Sequence, residues 1–313
     1  MKTVFTLSVA LVCVLSGCAS TPTAPASAQA ASLTNCGAEL TVPAPPKRAI
    51  AMEQNATEIM LSLGLADRMA GTSYQTDPVL PELKSDYDRV PVLAKLYPNR
   101  EKVLETKPDF VYSTFASAYA GDAAGPREDL AKLNVPAYLS RFACEDGPVS
   151  FDGIFAEIGD IAKVFGVADR GEKLVADLRA RLDKATKGPG TSVLWYYSGT
   201  STPYVAGSKG LPAAVSDRLG LRNVYADAAK PWPAGSWEQI AQRNPDVIVL
   251  ADLTRGGDGD SAQAKMDFLR ADPVTSKLEA VRNNRFITVS GSSMDPSVRS
   301  VSAVEQVSAG LAR

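Results

Sequence analysis

Two stretches of the chain align on each other without a gap: Asn99-Arg-Glu-Lys-Val-Leu-Glu-Thr-Lys-Pro-Asp-Phe-Val111 and Ser236-Trp-Glu-Gln-Ile-Ala-Gln-Arg-Asn-Pro-Asp-Val-Ile248. Each opens on a residue suited to cap a helix, carries a glutamate at the second helical position (Glu101, Glu238), and places an apolar residue two further on (Val103, Ile240). Each then closes on Pro-Asp and a hydrophobic run. Proline lacks an N–H and disfavours helical geometry in the residue before it, so the helix stops there. The apolar run that follows reads as a strand. Upstream of each stretch lies Leu-Gly-Leu, at 63–65 and again at 219–221, where a helix should end. The same order in both halves predicts two related α/β lobes.

Working outward, the first lobe opens with a strand over Arg48 to Met52 and a helix from Asn55, whose Ala56, Ile59, Met60 and Leu63 form one buried stripe. Asn55 suits the N-cap with Glu58 three residues on, and Gly64 suits the stop. Glu58 is therefore read as a capping residue rather than a functional carboxylate. Further strands are expected at Asp109 to Tyr112, Ser192 to Tyr196 and Val247 to Leu250. Between the halves, Phe151 to Val164 and Ala168 to Ala185 are helical, the second charged on one face and apolar at Leu174, Val175, Leu178 and Leu182. Thr186-Lys-Gly-Pro-Gly190 breaks it. The expected boundaries are a lobe over 37–165, a bridging helix over 166–187 and a lobe over 188–313.

Before the first lobe, residues 1–17 read as an export signal: Lys2, then a short apolar run from Val4 to Leu15. That run, roughly a dozen residues, falls short of the ~20 needed to span a bilayer. It ends in Leu15-Ser16-Gly17-Cys18, which resembles the bacterial lipobox and predicts lipidation of Cys18. Residues 18–36, mostly small, polar or proline, are expected to be a flexible tether. Cys13 leaves with the signal and Cys18 takes the lipid, so Cys36 and Cys144 remain as a candidate disulfide, with two buried thiols as the alternative.

The chain has 313 residues, with 33 basic against 35 acidic side chains and no histidine. A net charge of -2 gives no electrostatic footprint for nucleic acid. Without histidine there is no Ser-His-Asp or Cys-His catalysis and no imidazole metal site. No GxSxG, P-loop or dinucleotide fingerprint appears either. The loop Arg255-Gly-Gly-Asp-Gly-Asp-Ser261 lacks the terminal glutamate of a calcium loop and reads as surface. The expectation is a protein that binds something and does no chemistry on it.

The arrangement resembles the substrate-binding lipoproteins of bacterial ABC importers for ferric siderophores, haem and corrinoids. The resemblance rests on Pro46-Lys47-Arg48-Ala49-Ile50, on Thr57-Glu58-Ile59 with Leu63-Gly64-Leu65, on both Glu…Pro-Asp segments and on the single bridging helix. It implies an α/β fold of two Rossmann-like lobes, each with a mostly parallel central sheet, joined by one long rigid helix, with a ligand cleft between them and little closure on binding. It also implies a permease dimer with ATPase subunits as partner, met by one glutamate per lobe; the matching positions are Glu101 and Glu238. A glutamate in a first helical turn also suits the helix dipole, which is the alternative.

Relatives that carry bare zinc or manganese use histidines, so the cargo here is expected to arrive inside a chelator: a ferric siderophore, or alternatively a corrinoid, haem or another anionic metabolite of that size. No cofactor is expected to be bound permanently and no side chain to ligate metal. Open α/β sheets bind ligands outside the carboxyl ends of their strands. Applying that rule, and looking for aromatic walls with a few arginines, selects Gln54, Asn55, Tyr74, Tyr97 and Tyr119 in the first lobe. In the second it selects Tyr196, Tyr204, Trp232, Trp237, Arg255 and Arg299. The protein is expected to be a monomer that touches the membrane only through its lipid. An exported enzyme and an envelope adaptor without ligand are the readings from other classes.

Overall fold

The computed structural model describes Met1 and residues 30–144, 148–257 and 259–312. Apart from Met1, the expected signal, Cys18 and the tether as far as residue 29 lie outside the described residues. A hairpin of β1 (Ala31–Asn35) and β2 (Ala38–Val42) leads into β3 (Ala49–Ala51), α1 (Gln54–Ser62), β4 (Met69–Ser73), α2 (Lys84–Tyr87) and β5 (Val92–Ala94). There follow α3 (Arg100–Glu105), β6 (Phe110–Ser113), α4 (Arg127–Lys132), β7 (Ala137–Leu139) and α5 (Arg141–Cys144). The five strands after the hairpin form a parallel sheet in the order β5-β4-β3-β6-β7.

Two packed helices, α6 (Phe151–Val164) and α7 (Ala168–Leu182), connect this lobe to the next. The second lobe runs through β8 (Ser192–Ser198), β9 (Tyr204–Val205), α8 (Leu211–Leu219), β10 (Arg222–Asn223) and α9 (Trp237–Arg243). It ends with β11 (Val247–Asp252), α10 (Ala262–Ala271), α11 (Glu279–Arg282), β12 (Phe286–Ser290) and α12 (Ser300–Leu311). Its strands lie parallel in the order β10-β8-β11-β12, with β9 antiparallel to β8.

The duplicated stretch folds the same way twice, as α3–β6 and α9–β11. The Asn99 side chain accepts from the N–H of Lys102 at 2.9 Å, and Ser236 accepts from the N–H of Gln239 at 3.1 Å. Each side chain thereby satisfies a donor that the helix leaves unpaired. The aspartates after the prolines also share a task. Asp109 accepts from the N–H groups of Lys47 and Arg48 at 2.8 and 2.9 Å, while Asp246 accepts from the N–H and hydroxyl of Ser192 at 2.7 and 2.6 Å. Both clamp the entry of the adjacent strand, and the register that follows is Ala49 opposite Phe110 and Val193 opposite Val247.

Residues 31–36 are not tether. They form the first strand and turn of the hairpin, closed at Cys36-Gly37 with both residues at positive φ (53° and 73°). Such a two-residue turn matches the twist of its strands, and glycine adopts it without strain. The buried Asn35 side chain holds the hairpin against β7, donating to the Leu139 carbonyl at 2.8 Å and accepting from its N–H at 3.0 Å. A single leucine in this stretch carries too little apolar signal to announce a strand. A disulfide joins Cys36 to Cys144 across 108 residues, tying the turn to α5. Chain-entropy arithmetic for a loop of that length gives about 4–5 kcal/mol of stabilisation. Reduction, or Cys36→Ser with Cys144→Ser, should therefore lower the unfolding free energy by about 2–5 kcal/mol in urea titrations.

The bridging helix is shorter than the expected 166–187. Gly166 sits at φ +67° before it and the helix ends at Leu182, ahead of Gly188-Pro189-Gly190. At 1.5 Å per residue its 15 residues reach about 22 Å. Arg170 donates to the carbonyls of Leu63 and Gly64 at the end of α1, whereas Arg181 meets Glu305 and Ser302 on α12. One end is thus fixed to each lobe. α6 is pinned to the first lobe by buried Glu157, which accepts from the hydroxyls of Tyr112 and Ser140, each at 2.6 Å. Gly171 allows the two helices to touch, since a Cβ there would lie 2.5 Å from that of Ala162. The largest buried cluster takes in Phe110, Ile158, Val193 and Val304, so the apolar core runs through both lobes.

Candidate functional site

Segments leaving the carboxyl ends of both sheets line two adjoining cavities between the lobes. The first, of about 110 Å³, is walled by Glu53 to Asn55 after β3, by Tyr74, Thr76 and Asp77 after β4, and by Phe115 after β6. Tyr197, Leu253 to Arg255, Gly291, Ser292 and Asp295 close it from the second lobe. The second cavity, of about 220 Å³, adds Phe142, Val149, Lys209, Pro231 and Trp232. Asn55, Phe115 and Asp295 belong to both. In the first lobe β3 and β6 are the strands at which the order reverses, the usual place for a ligand crevice.

The aromatic walls are paired. Tyr74, held at φ 50°, meets Tyr97 edge-on with ring centres 4.9 Å apart, and Tyr197 packs on Trp232 at 4.7 Å. The Arg255 guanidinium lies 5.7 Å from the centre of the Tyr197 ring, but it is committed to Asp260 at 2.6 Å. Two carboxyls stand out. Burial pushes Glu53 up to about 7, against the hydrogen bonds it accepts from Ser113 and Thr114. Burial likewise pushes Asp295 up to about 7, against a hydrogen bond from Trp232. Asn55 Oδ1 and Ser292 Oγ are buried without a partner among the described residues, an arrangement that costs free energy unless something else supplies one.

Behind the cavity a polar network crosses from lobe to lobe. Gln54 Oε1 accepts from the N–H groups of Thr76 and Asp77, and its Nε2 donates to Glu58. Glu58 takes both Nε and Nη2 of Arg299, at 2.6 and 2.5 Å. Asp77 accepts from the N–H of Ser292 at 2.7 Å, and the Thr254 hydroxyl donates to the Thr76 carbonyl.

Of the residues selected by sequence, Gln54, Asn55, Tyr74, Trp232 and Arg255 line these cavities. Tyr97 stands one layer behind Tyr74. The others lie elsewhere. Tyr119 is buried in the first lobe with its hydroxyl donating to Val111 and Tyr138 carbonyls. Tyr196 and Trp237 pack on each other inside the second lobe, at 5.1 Å. Tyr204 is exposed on β9. Arg299 is the inter-lobe partner of Glu58, and Glu58 caps nothing: the N-cap of α1 is Glu53. Tyr196 belongs to a strand whose side chains alternate, so its neighbour Tyr197 faces the cleft.

Sequence reasoning passed over Glu53, Asp77, Thr254, Ser292 and Asp295. All lie just past strand ends, where the same rule would have found them. An expected anionic ligand directed attention to arginines instead of carboxylates. Glu101 and Glu238 are exposed at the second positions of α3 and α9. Both helices precede parallel strands, so their N-termini emerge at the carboxyl ends of the sheets, the end that carries the cleft.

Comparison with known proteins agrees with this architecture. A family model described as periplasmic binding protein matches residues 50–292. The vitamin B12-binding protein of Vibrio campbellii is 25% identical over 267 residues, 84% of this chain and 88% of the relative. Among solved structures, a periplasmic binding protein from Veillonella parvula superposes with a TM-score of 0.81 at 29% identity, covering 90% of this chain and 97% of the other. The ABC-type Fe3+-hydroxamate transport system of Saccharomonospora viridis follows at 0.76 and 22%, over 90% and 99% of the two chains. With the match spanning both sheets and the cleft between them, this chain belongs to the periplasmic binding protein family.

Proposed function

We propose that this protein captures a metal chelate of cofactor size, a corrinoid or a ferric siderophore, between its lobes and delivers it to a dimeric ABC permease with its ATPase subunits. The observation that carries the reading is the cleft itself: aromatic faces from both lobes around buried polar atoms that lack partners among the described residues. Apolar walls with a few placed polar groups are what small-molecule sites present. Among the described residues no group of three or more histidine, cysteine or carboxylate side chains is placed to hold a metal ion. The name of the Vibrio campbellii relative favours the corrinoid. On this reading the chain does no chemistry on its cargo. It is exported and held at the membrane by lipid on Cys18, and no helix among the described residues is long and apolar enough to cross a bilayer.

The test is thermal unfolding with cyanocobalamin, a ferric hydroxamate, a ferric catecholate and haem in turn. A ligand at a hundred times its Kd stabilises by about 2.7 kcal/mol, a shift of several degrees. If none of the four raises the melting temperature, chelate capture is wrong.

A further inference from the structure

We propose that the cleft selects chelates without net negative charge whose rim donates hydrogen bonds, and that Glu53 and Asp295 are the residues that set this preference. The proposal rests on chelate capture as argued above and narrows the class of cargo. It begins from what the cavity offers. Asn55 and Ser292 are 3% and 6% exposed, both line the cavity, and among the described residues Asn55 Oδ1 and Ser292 Oγ have no hydrogen-bond partner. An amide oxygen only accepts, and a hydroxyl can accept as well as donate. Glu53, Asp77 and Asp295 add three carboxyls to the same wall. A ligand edge rich in N–H groups would give Asn55 and Ser292 the donor they lack and meet the carboxyl lone pairs that Ser113, Thr114 and the Ser292 N–H leave open.

The cations do not balance them. Arg255 spends its guanidinium on both oxygens of Asp260, at 2.6 and 3.3 Å. Arg299 spends its own on Glu58. Among the described residues that line the two cavities Lys209 remains, half-buried at the edge of the second. A polyanion seated here would bring negative charge against the buried Glu53 and Asp77 and the half-buried Asp295, in a medium that screens poorly.

Because Glu53 and Asp295 are held near 7 by burial, their charge changes across the neutral range. Four tyrosines packed against them move away from that range. Tyr97, Tyr112 and Tyr119 beside Glu53, and Tyr197 beside Asp295, are all pushed upward by burial and keep their protons. Lys265 is pushed down to about 8 by burial and titrates in the window, but its Nζ donates to the carbonyls of Ala251 and Asp260 rather than facing the cavity. A charged acceptor binds an N–H more strongly than a protonated carboxyl does, by roughly fivefold in affinity. Affinity for a donor-rimmed uncharged ligand therefore rises from pH 6.5 to 8.5, and affinity for an anion falls.

The experiment is calorimetric titration of the whole protein at both pH values. The uncharged probes are cyanocobalamin, rimmed with primary amides, and a ferric trihydroxamate; the anionic ones are a ferric tricatecholate and haem. At pH 8.5 an uncharged probe should bind at least tenfold more tightly than either anion, with opposite pH trends for the two classes. Glu53→Gln with Asp295→Asn should flatten both trends and narrow the gap, its melting curve showing that it folds. An anionic probe that binds as tightly as the uncharged ones at pH 8.5, or a pH response unchanged in that variant, overturns the assignment while leaving chelate capture standing. If no probe binds, capture itself fails and this inference falls with it.

Discussion

Arg299→Ala is expected to lower the unfolding free energy by about 3–5 kcal/mol, the cost of removing one partner from a buried ion pair. The side chains of Glu58 and Arg299 are 0% and 7% exposed, and they belong to different lobes. Without the guanidinium, Glu58 keeps, among the described residues, the Gln54 amide at 3.0 Å and the Leu80 N–H at 3.2 Å, too little to replace two charge-assisted bonds. Ser290 Oγ and the Pro78 carbonyl lose a donor as well. Glu58→Met together with Arg299→Met should recover most of the loss, because no charge is then left buried alone. Urea titration reads both, as a shift in midpoint at unchanged slope. A loss below about 1 kcal/mol, typical of an exposed pair, would mean that water already reaches this contact.

The same substitution bears on binding. Arg299 holds the Pro78 carbonyl at 2.7 Å, just past Thr76 and Asp77 of the cavity wall, and Gln54 holds both N–H groups of that wall from the other side. The pair, the Asp77–Ser292 bond and the Thr254–Thr76 bond together set how the walls face one another. Stability and ligand affinity should therefore fall together in Arg299→Ala, which would separate this residue from a direct ligand contact that lowers affinity alone.

The repeat made the fold legible. Pro108-Asp109 and Pro245-Asp246 each end a helix, start a strand and clamp the entry of the strand beside it in the sheet, so three structural events are encoded in a dipeptide. Helix periodicity located Phe151–Val164 because its apolar face is uninterrupted. What could not be read was where side chains from distant segments meet. Arg299 and Glu58 lie 241 positions apart, and an arginine after a last strand has no local feature that distinguishes a ligand contact from a lobe contact. Tyr196 and Tyr197 differ by one residue and by which side of the sheet they occupy; strand phase relative to the cleft comes only with tertiary packing. The carboxyls were missed for a chemical reason. Charge expectations about the ligand selected the residue types sought, and burial had already changed what Glu53 and Asp295 are at neutral pH.

Glu101→Lys with Glu238→Lys should abolish uptake into cells or proteoliposomes and leave the affinity for ligand unchanged. The two carboxylates occupy the same position of the same capped helix in each lobe, both exposed, and among the described residues neither has an ion-pair partner. A two-fold receptor is met best by two like charges, one from each half, and a basic pocket opposite each would make a charge-assisted contact. If these glutamates dock on a permease as proposed, reversing such a charge would replace attraction with repulsion at a cost of several kcal/mol, which at 1.4 kcal/mol per decade would remove at least a hundredfold of permease affinity per site. The cavities are lined by other residues, so titration with ligand should give the wild-type constant. A helix-dipole role predicts a different pattern: about 0.3–1 kcal/mol of stability lost at each site and transport intact. Single reversals then add a further check, since a symmetric gate requires that Glu101→Lys and Glu238→Lys impair uptake to a similar degree.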